Sequence, residues 1–202
     1  MPVKPEREYR AMPLVAVTGT SKRFDTDFYV EGYATTFNDP YVLSEYDGIQ
    51  YKEVVDRHAL DDADLSDVIM QYNHDGRVFA RTGKSNTLLV EPDDHGLFMA
   101  GDLSKTEAAR SMHEDIAAGL VTKMSWAFTV AEDSYNRETH TRTILKIKKV
   151  YDVSAVSFPA NPATDISARS WVDGVIDAEK AERLAADAAE REKEKIRILL
   201  EV

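Results

Sequence analysis

Three side chains in this sequence have the types to share one reaction: Ser125, His74 and Asp152. A serine hydroxyl is a weak nucleophile at neutral pH and needs a base within hydrogen-bond reach. An imidazole acting as that base needs an acceptor on its other nitrogen to fix its tautomer and stabilise its cation. Ser, His and a carboxylate are the minimal set for attack on an acyl carbon. The three lie far apart along the chain, so only the fold can bring them together. Taken singly, Ser125 reads as a polar strand residue and His74 as a core or edge histidine satisfied by one hydrogen bond.

Hydrophobic periodicity says which elements must carry them. From Thr122 to Val130, strict alternation puts Met124, Trp126, Phe128 and Val130 on one face and Ser125, Ala127 and Thr129 on the other, the pattern of a half-buried strand. Val68, Met70, Tyr72 and His74 alternate in the same way, which sets His74 at a strand end in line with the apolar face. An extended run from Arg142 to Phe158 carries Asp152, Ser154 and Val156 opposite Tyr151, Val153 and Ala155, and Pro159 and Pro162 end it.

The remaining elements frame these strands. Leu14 to Thr18 predicts a short strand ended by Gly19, and Asp27 to Phe37 a longer one in which Gly32 marks a bulge or a close backbone approach. Asn38-Asp39-Pro40 is turn chemistry, the polar stretch to Gln50 reads as a surface loop, and Val54 to Leu60 reads as a short helix. Asn86 to Glu91 and Gly96 to Leu103 form a hairpin joined through Pro92-Asp93-Asp94-His95. Ser104 or Thr106 caps a helix in which Ala108, Met112, Ile116 and Leu120 recur at helical spacing, with Gly119 near its end. Glu132 to Thr141 reads as a polar loop, and Asp177 to Leu200 as a long, charge-laced helix with a thin apolar stripe of Leu184, Ala188, Ile196 and Leu199. Many short strands, one helix within the body and one helical tail predict an α+β fold: a mostly antiparallel sheet or barrel with helices around it. The expected division is a body over residues 1–170 and a charged tail over 171–202.

Composition narrows the function. A chain of 202 residues suits one domain plus an appendage. It has no cysteine, which excludes disulfides, thiolate metal sites and a cysteine nucleophile. Met1 to Glu8 lacks the apolar core of a signal peptide, and no run approaches the ~18 apolar residues of a membrane span, so a soluble protein is expected. A net charge of −11 opposes binding to phosphate backbones, and Lys146, Lys148 and Lys149 read as a solvated face. His95 beside Asp93 and Asp94 reads as a hairpin turn rather than a metal site, while His58, His113 and His140 read as surface residues. Asp75 follows His74 directly and points to the opposite strand face.

The wording around the three candidates is more specific than their types. Tyr72-Asn73-His74-Asp75, Gly119 to Phe128, and Tyr151-Asp152-Val153-Ser154-Ala155-Val156-Ser157-Phe158-Pro159-Ala160-Asn161-Pro162 occur in the order, and near the spacing, of the prohead proteases of tailed bacteriophages. Glu8-Tyr9-Arg10 and Glu31 to Phe37 resemble that family's opening. The resemblance covers roughly residues 8 to 168.

It implies a serine protease related in fold to the herpesvirus maturation proteases, a compact β-barrel surrounded by helices, with Ser125 as nucleophile, His74 as general base and Asp152 as the acid. Members of the family commonly carry Glu at the position of Asp152, and the herpesvirus relatives a second histidine; Asp is one methylene shorter, so its contact with His74 requires a small backbone shift. The resemblance further implies an endopeptidase without a cofactor. Such an enzyme is packaged inside the procapsid in the bacterial host cytoplasm and cuts the scaffolding segment of the major capsid protein, or a separate scaffold, and itself. Dimerisation activates the herpesvirus relatives, so a homodimer is expected. The tail would target the enzyme to scaffold or capsid subunits, be lost by self-cleavage, or stand as a solvated helix. The competing expectation is a scaffolding protein that keeps the fold without turnover. A metal-dependent hydrolase built on His74, Asp75 and Asp152 leaves the motif around Ser125 unexplained.

Overall fold

Two long strands, β9 (Lys123–Asn136) and β10 (Thr141–Val156), pair antiparallel and carry the rest of the sheet. In the computed structural model, which describes residues 7–15, 22–157 and 166–200, they lie at the centre of one ten-stranded sheet. The other elements are β1 (Glu8–Val15), β2 (Tyr29–Thr36), β3 (Tyr41–Tyr46), β4 (Ile49–Val55), β5 (Ile69–Tyr72), β6 (Asp75–Arg81), β7 (Leu88–Pro92), β8 (Gly96–Asp102), α1 (Glu107–Ala117) and α2 (Ile166–Leu200). The strand path runs β3-β4-β10-β9-β1-β2-β8-β7, and β5 with β6 branches from β10.

The barrel expected from the sequence is not closed. The path ends at β3 on one side and β7 on the other. The reason lies in β10, whose first residues pair parallel with β4 while Asp152 and Ala155 pair parallel with β5. One long strand thus serves two different neighbours on the same edge, and the sheet forks there instead of rolling onto itself. The α+β class holds, with strands dominating and two helices, one of them C-terminal.

Alternation in β9 does what the sequence predicts on its core side. Met124, Trp126 and Phe128 are wholly buried, and Trp126 stacks on Phe128 with ring centroids 4.0 Å apart. Ser125 and Ala127, on the opposite face, are equally buried, so the strand is covered on both sides. Thr106 caps α1 by accepting from the Ala109 amide at 3.1 Å, and Ala109, Met112 and Ile116 pack inward. Leu120 does not: Gly119, at φ +73°, has ended the helix before it, and the side chain is 73% exposed.

Other expectations are corrected. The polar stretch before Gln50 is the β3–β4 hairpin, turned at Asp47-Gly48 with φ of +53° and +73°, the pair of positive values a tight hairpin turn demands. The short helix at Val54 to Leu60 is absent: β4 continues to Val55, and turns tuck Ala59 and Leu60 into the core. The loop from Glu132 to Thr141 is mostly ladder, because β9 runs to Asn136 and β10 starts at Thr141. The first strand begins at Glu8, and Ala16 to Thr18 with Gly19 lie outside the described residues. α2 starts at Ile166 rather than Asp177, since Val172, Val175 and Ile176 recur at helical spacing and bury against Leu43 and Tyr51.

Candidate functional site

Residues Tyr72 to Asp75 close the β5–β6 hairpin as a two-residue turn, with Asn73 and His74 at φ of +51° and +60°. Asn and His are among the few side chains that enter the left-handed region readily. His74 therefore sits in the turn itself, not at the end of the β5 apolar face as its spacing suggested. The turn is latched to the end of β10. The Asn73 amide donates to Ala155 O at 2.9 Å, the Ser157 amide donates to Asn73 Oδ1 at 3.2 Å, and the Tyr72 and Ser157 hydroxyls are 2.5 Å apart.

That latch delivers the imidazole to Asp152. His74 Nδ1 lies 2.5 Å from Asp152 Oδ1, and the same oxygen accepts from Ser154 Oγ at 2.7 Å. Asp152 and Ser154 are 4% and 0% exposed, so both contacts are shielded from water. A carboxylate can only accept, so in the neutral imidazole the proton sits on Nδ1 and Nε2 is left with a bare lone pair.

Ser125 lies one strand away. In the β9–β10 register Ser154 faces Ser125, Val153 faces Trp126 and Asp152 faces Ala127. Side chains of directly opposed residues project to the same side of a sheet, so Ser125, Ser154 and Asp152 share a face, with Ser125 diagonal to the acid. Ser125 Oγ and His74 Nε2 are both buried and make no hydrogen bond, and they are two of four such side-chain atoms among the described residues. A buried polar atom left without a partner costs about 1–3 kcal/mol. Two of them beside one carboxylate-bearing face mark a place where the fold retains unpaired donor and acceptor capacity.

The other candidates fall away. Asp75 is exposed and accepts from the Gly76 amide at 2.7 Å, away from His74. His95 and Gly96 donate backbone amides to Asp93 Oδ1, which makes that stretch a turn. Among the described residues no group of three or more His, Cys, Asp or Glu is arranged to hold a metal. Two neighbours of this pair were not singled out in the sequence. Ser154 is placed on the face of Asp152 by period-two spacing, but its hydrogen bond to the acid is not foreseen. Tyr9, whose ring meets the His74 ring edge-on at 4.6 Å, comes from β1, and only tertiary pairing reveals it.

Comparison with known proteins bears on the same segments. No solved structure matches the chain. The prohead protease of Enterobacteria phage HK97 is 30% identical over 146 residues, which are 72% of this chain and 61% of that protein's length. A family model described as caudovirus prohead serine protease matches residues 17–175, a span that contains His74, Ser125 and Asp152. With most of the chain matched in this way, it belongs to the caudovirus prohead serine protease family.

Proposed function

We propose that this chain is a capsid maturation endopeptidase in which Ser125 is the nucleophile, His74 the general base and Asp152 the acid that orients the imidazole. The observation that carries the reading is the Nδ1 contact of His74 with Asp152, which leaves Nε2 as a bare acceptor on the face where Ser125 Oγ has no partner. Ser125 Oγ attacks the scissile carbonyl while Nε2 takes its proton. The imidazolium passes that proton to the leaving amine as the C–N bond breaks, giving an acyl-enzyme. Water, deprotonated by His74, then attacks the ester and frees the new carboxyl terminus. Asp152 stabilises the imidazolium in both halves. Because Ser125 is fully buried, the peptide reaches it only after the segments over that face move aside.

Ser154 steadies the acid by occupying the oxygen that Asp152 presents to His74. Ser154→Ala is expected to slow cleavage about tenfold, the value of one hydrogen bond to a charged group; single-turnover rates against the wild type measure it, and an unchanged rate removes Ser154 from the account.

The substrate we assign is the scaffolding segment of the major capsid protein or a separate scaffold, cut inside the procapsid in the bacterial host, with the enzyme itself as a further substrate and a homodimer as its working state. We retain residues 1–170 as the catalytic body and 171–202 as the tail. Within that tail Leu184 to Lys193, Lys195 and Ile196 are exposed, whereas Val172, Val175 and Ile176 are core and Glu179 accepts from Tyr51 and Tyr135. A targeting role therefore belongs to the part beyond Arg183. Deleting residues 184–202 is expected to lower the number of protease copies per procapsid without unfolding the body; unchanged packaging would remove the targeting role.

Intact mass of the cognate capsid subunit after co-expression tests the function directly. A subunit shortened by the wild type and left whole by Ser125→Ala is the expected result. Whole subunit in both, with shells still assembling, would favour a silent scaffolding protein.

A further inference from the structure

The opening segment Glu8-Tyr9-Arg10 has no role in the chemistry described so far, yet it is tied to the sheet by the densest set of ion pairs among the described residues. Arg10 contacts Glu53 through Nε at 2.6 Å and Nη2 at 2.8 Å. Arg142 reaches Glu8 at 2.7 and 2.9 Å, Glu53 at 2.9 Å and Asp133 at 2.6 Å, while Tyr41 donates to Glu53. Glu8, Arg10, Glu53 and Arg142 are 7%, 3%, 0% and 2% exposed. Apolar residues of similar size would hold a core at least as well, so stability does not account for the cluster.

Register does. Glu8 and Arg10 lie opposite Phe128 and Trp126, on the core face of β9. A slip of β1 by one residue would turn both charges to the other face and strand Glu53 and Arg142 without them. The cluster thus admits one alignment, in which Tyr9 lies opposite Ala127 and Ala11 opposite Ser125. That alignment brings the Tyr9 ring against the His74 ring at 4.6 Å and 69°. His74 is carried on a tight turn and held at Nδ1 by one acceptor; that contact fixes one end of the ring and leaves it a pivot.

We infer that β1 belongs to the catalytic apparatus: the buried ion cluster fixes its register, and Tyr9, on the opposite face, is a positioning residue that walls the His74 imidazole so that Nε2 stays aimed at Ser125. The inference rests on the catalytic reading of His74 and Ser125 above.

Cleavage of the cognate capsid subunit by purified full-length chain tests it, with wild type and Ser125→Ala run alongside. Tyr9→Ala is expected to slow cleavage at saturating subunit by about 30-fold, within the loss of about 100-fold that a 1 Å misplacement can cause. The half-saturating concentration should hold within about twofold, since a positioning residue acts on the chemical step rather than on uniform binding. Tyr9→Phe, which keeps the ring, should recover most of the rate, and melting temperatures should show that both variants fold. Arg10→Met combined with Glu53→Met should melt near the wild type and still cleave more slowly, because register and not stability has been loosened.

A wild-type rate in Tyr9→Ala, a loss confined to half-saturation, or a Tyr9→Phe variant as slow as Tyr9→Ala would each overturn the role of the ring. A wild-type rate in the double methionine variant would overturn the role of the cluster. Whole subunit with the wild-type chain would instead bring down the catalytic reading itself, which separates the two failures.

Discussion

His74→Ala is expected to reduce cleavage by about 10⁵-fold or more, and Asp152→Asn by about 10⁴-fold, with the double variant no slower than His74→Ala alone. The asymmetry follows from the geometry. Removing His74 leaves Ser125 with no base, because no other side chain among the described residues hydrogen-bonds its hydroxyl and could take over. Replacing Asp152 by Asn keeps the shape of the contact at Nδ1 but offers an amide that can donate to the ring. The imidazole then carries its proton on Nε2, the nitrogen that has to accept the serine proton. Both substitutions break one unit, so their effects do not add. Single-turnover cleavage of the capsid subunit measures all three, and an Asp152→Asn chain that keeps its rate would show that the acid is not part of the unit. The same series separates the serine mechanism from a scaffolding role, which no substitution in this unit would affect.

Replacing Glu53 with Gln is expected to cost about 3–5 kcal/mol of stability, lowering the melting temperature by roughly 10 °C. Glu53 is wholly buried between Arg10 and Arg142 and also accepts from Tyr41. Burial by itself pushes its carboxyl up, and the attraction of Arg10 and then Arg142 outweighs that, holding it below its ordinary 4.5. A carboxyl whose folded value is depressed stabilises the fold above its unfolded value and loses that contribution as pH falls through the folded one. The gap between wild type and Glu53→Gln should therefore be full at pH 7 and shrink in acid below pH 4.5. Thermal melts across that range check the sign: a gap that widens in acid would mean that the cluster does not hold Glu53 ionised. Loss of Glu53 alone is harsher than the paired replacement with Arg10, because it leaves a buried guanidinium short of an acceptor.

How much of this could be read in advance depended on the range of the forces involved. Alternation over Met124 to Val130 put Ser125 on the face opposite Trp126 and Phe128, since side-chain direction in a strand is a local property with a period of two. The same rule put Asp152 and Ser154 together, and helical spacing with a Thr106 cap outlined α1. The Asp47-Gly48 hairpin was also legible from its two turn residues, but the polar residues around it disguised edge strands as loop. His74 was identified by type and motif but misplaced, because alternation cannot tell the last residue of a strand from the second residue of a tight turn.

From sequence alone came the residue types, the faces of β9 and of the end of β10, the outline of α1 and the motifs shared with a family of phage proteases. Tertiary structure alone decided which face met which. It set β10 between β9 and β5 so that a turn from one hairpin meets an acid on another strand, opened the sheet where a barrel was expected, and buried Glu8 and Arg10 against Glu53 and Arg142. The physical reason is that periodicity is written along the chain in steps of two or four residues, whereas register and charge pairing between distant strands depend on partners that no local window contains.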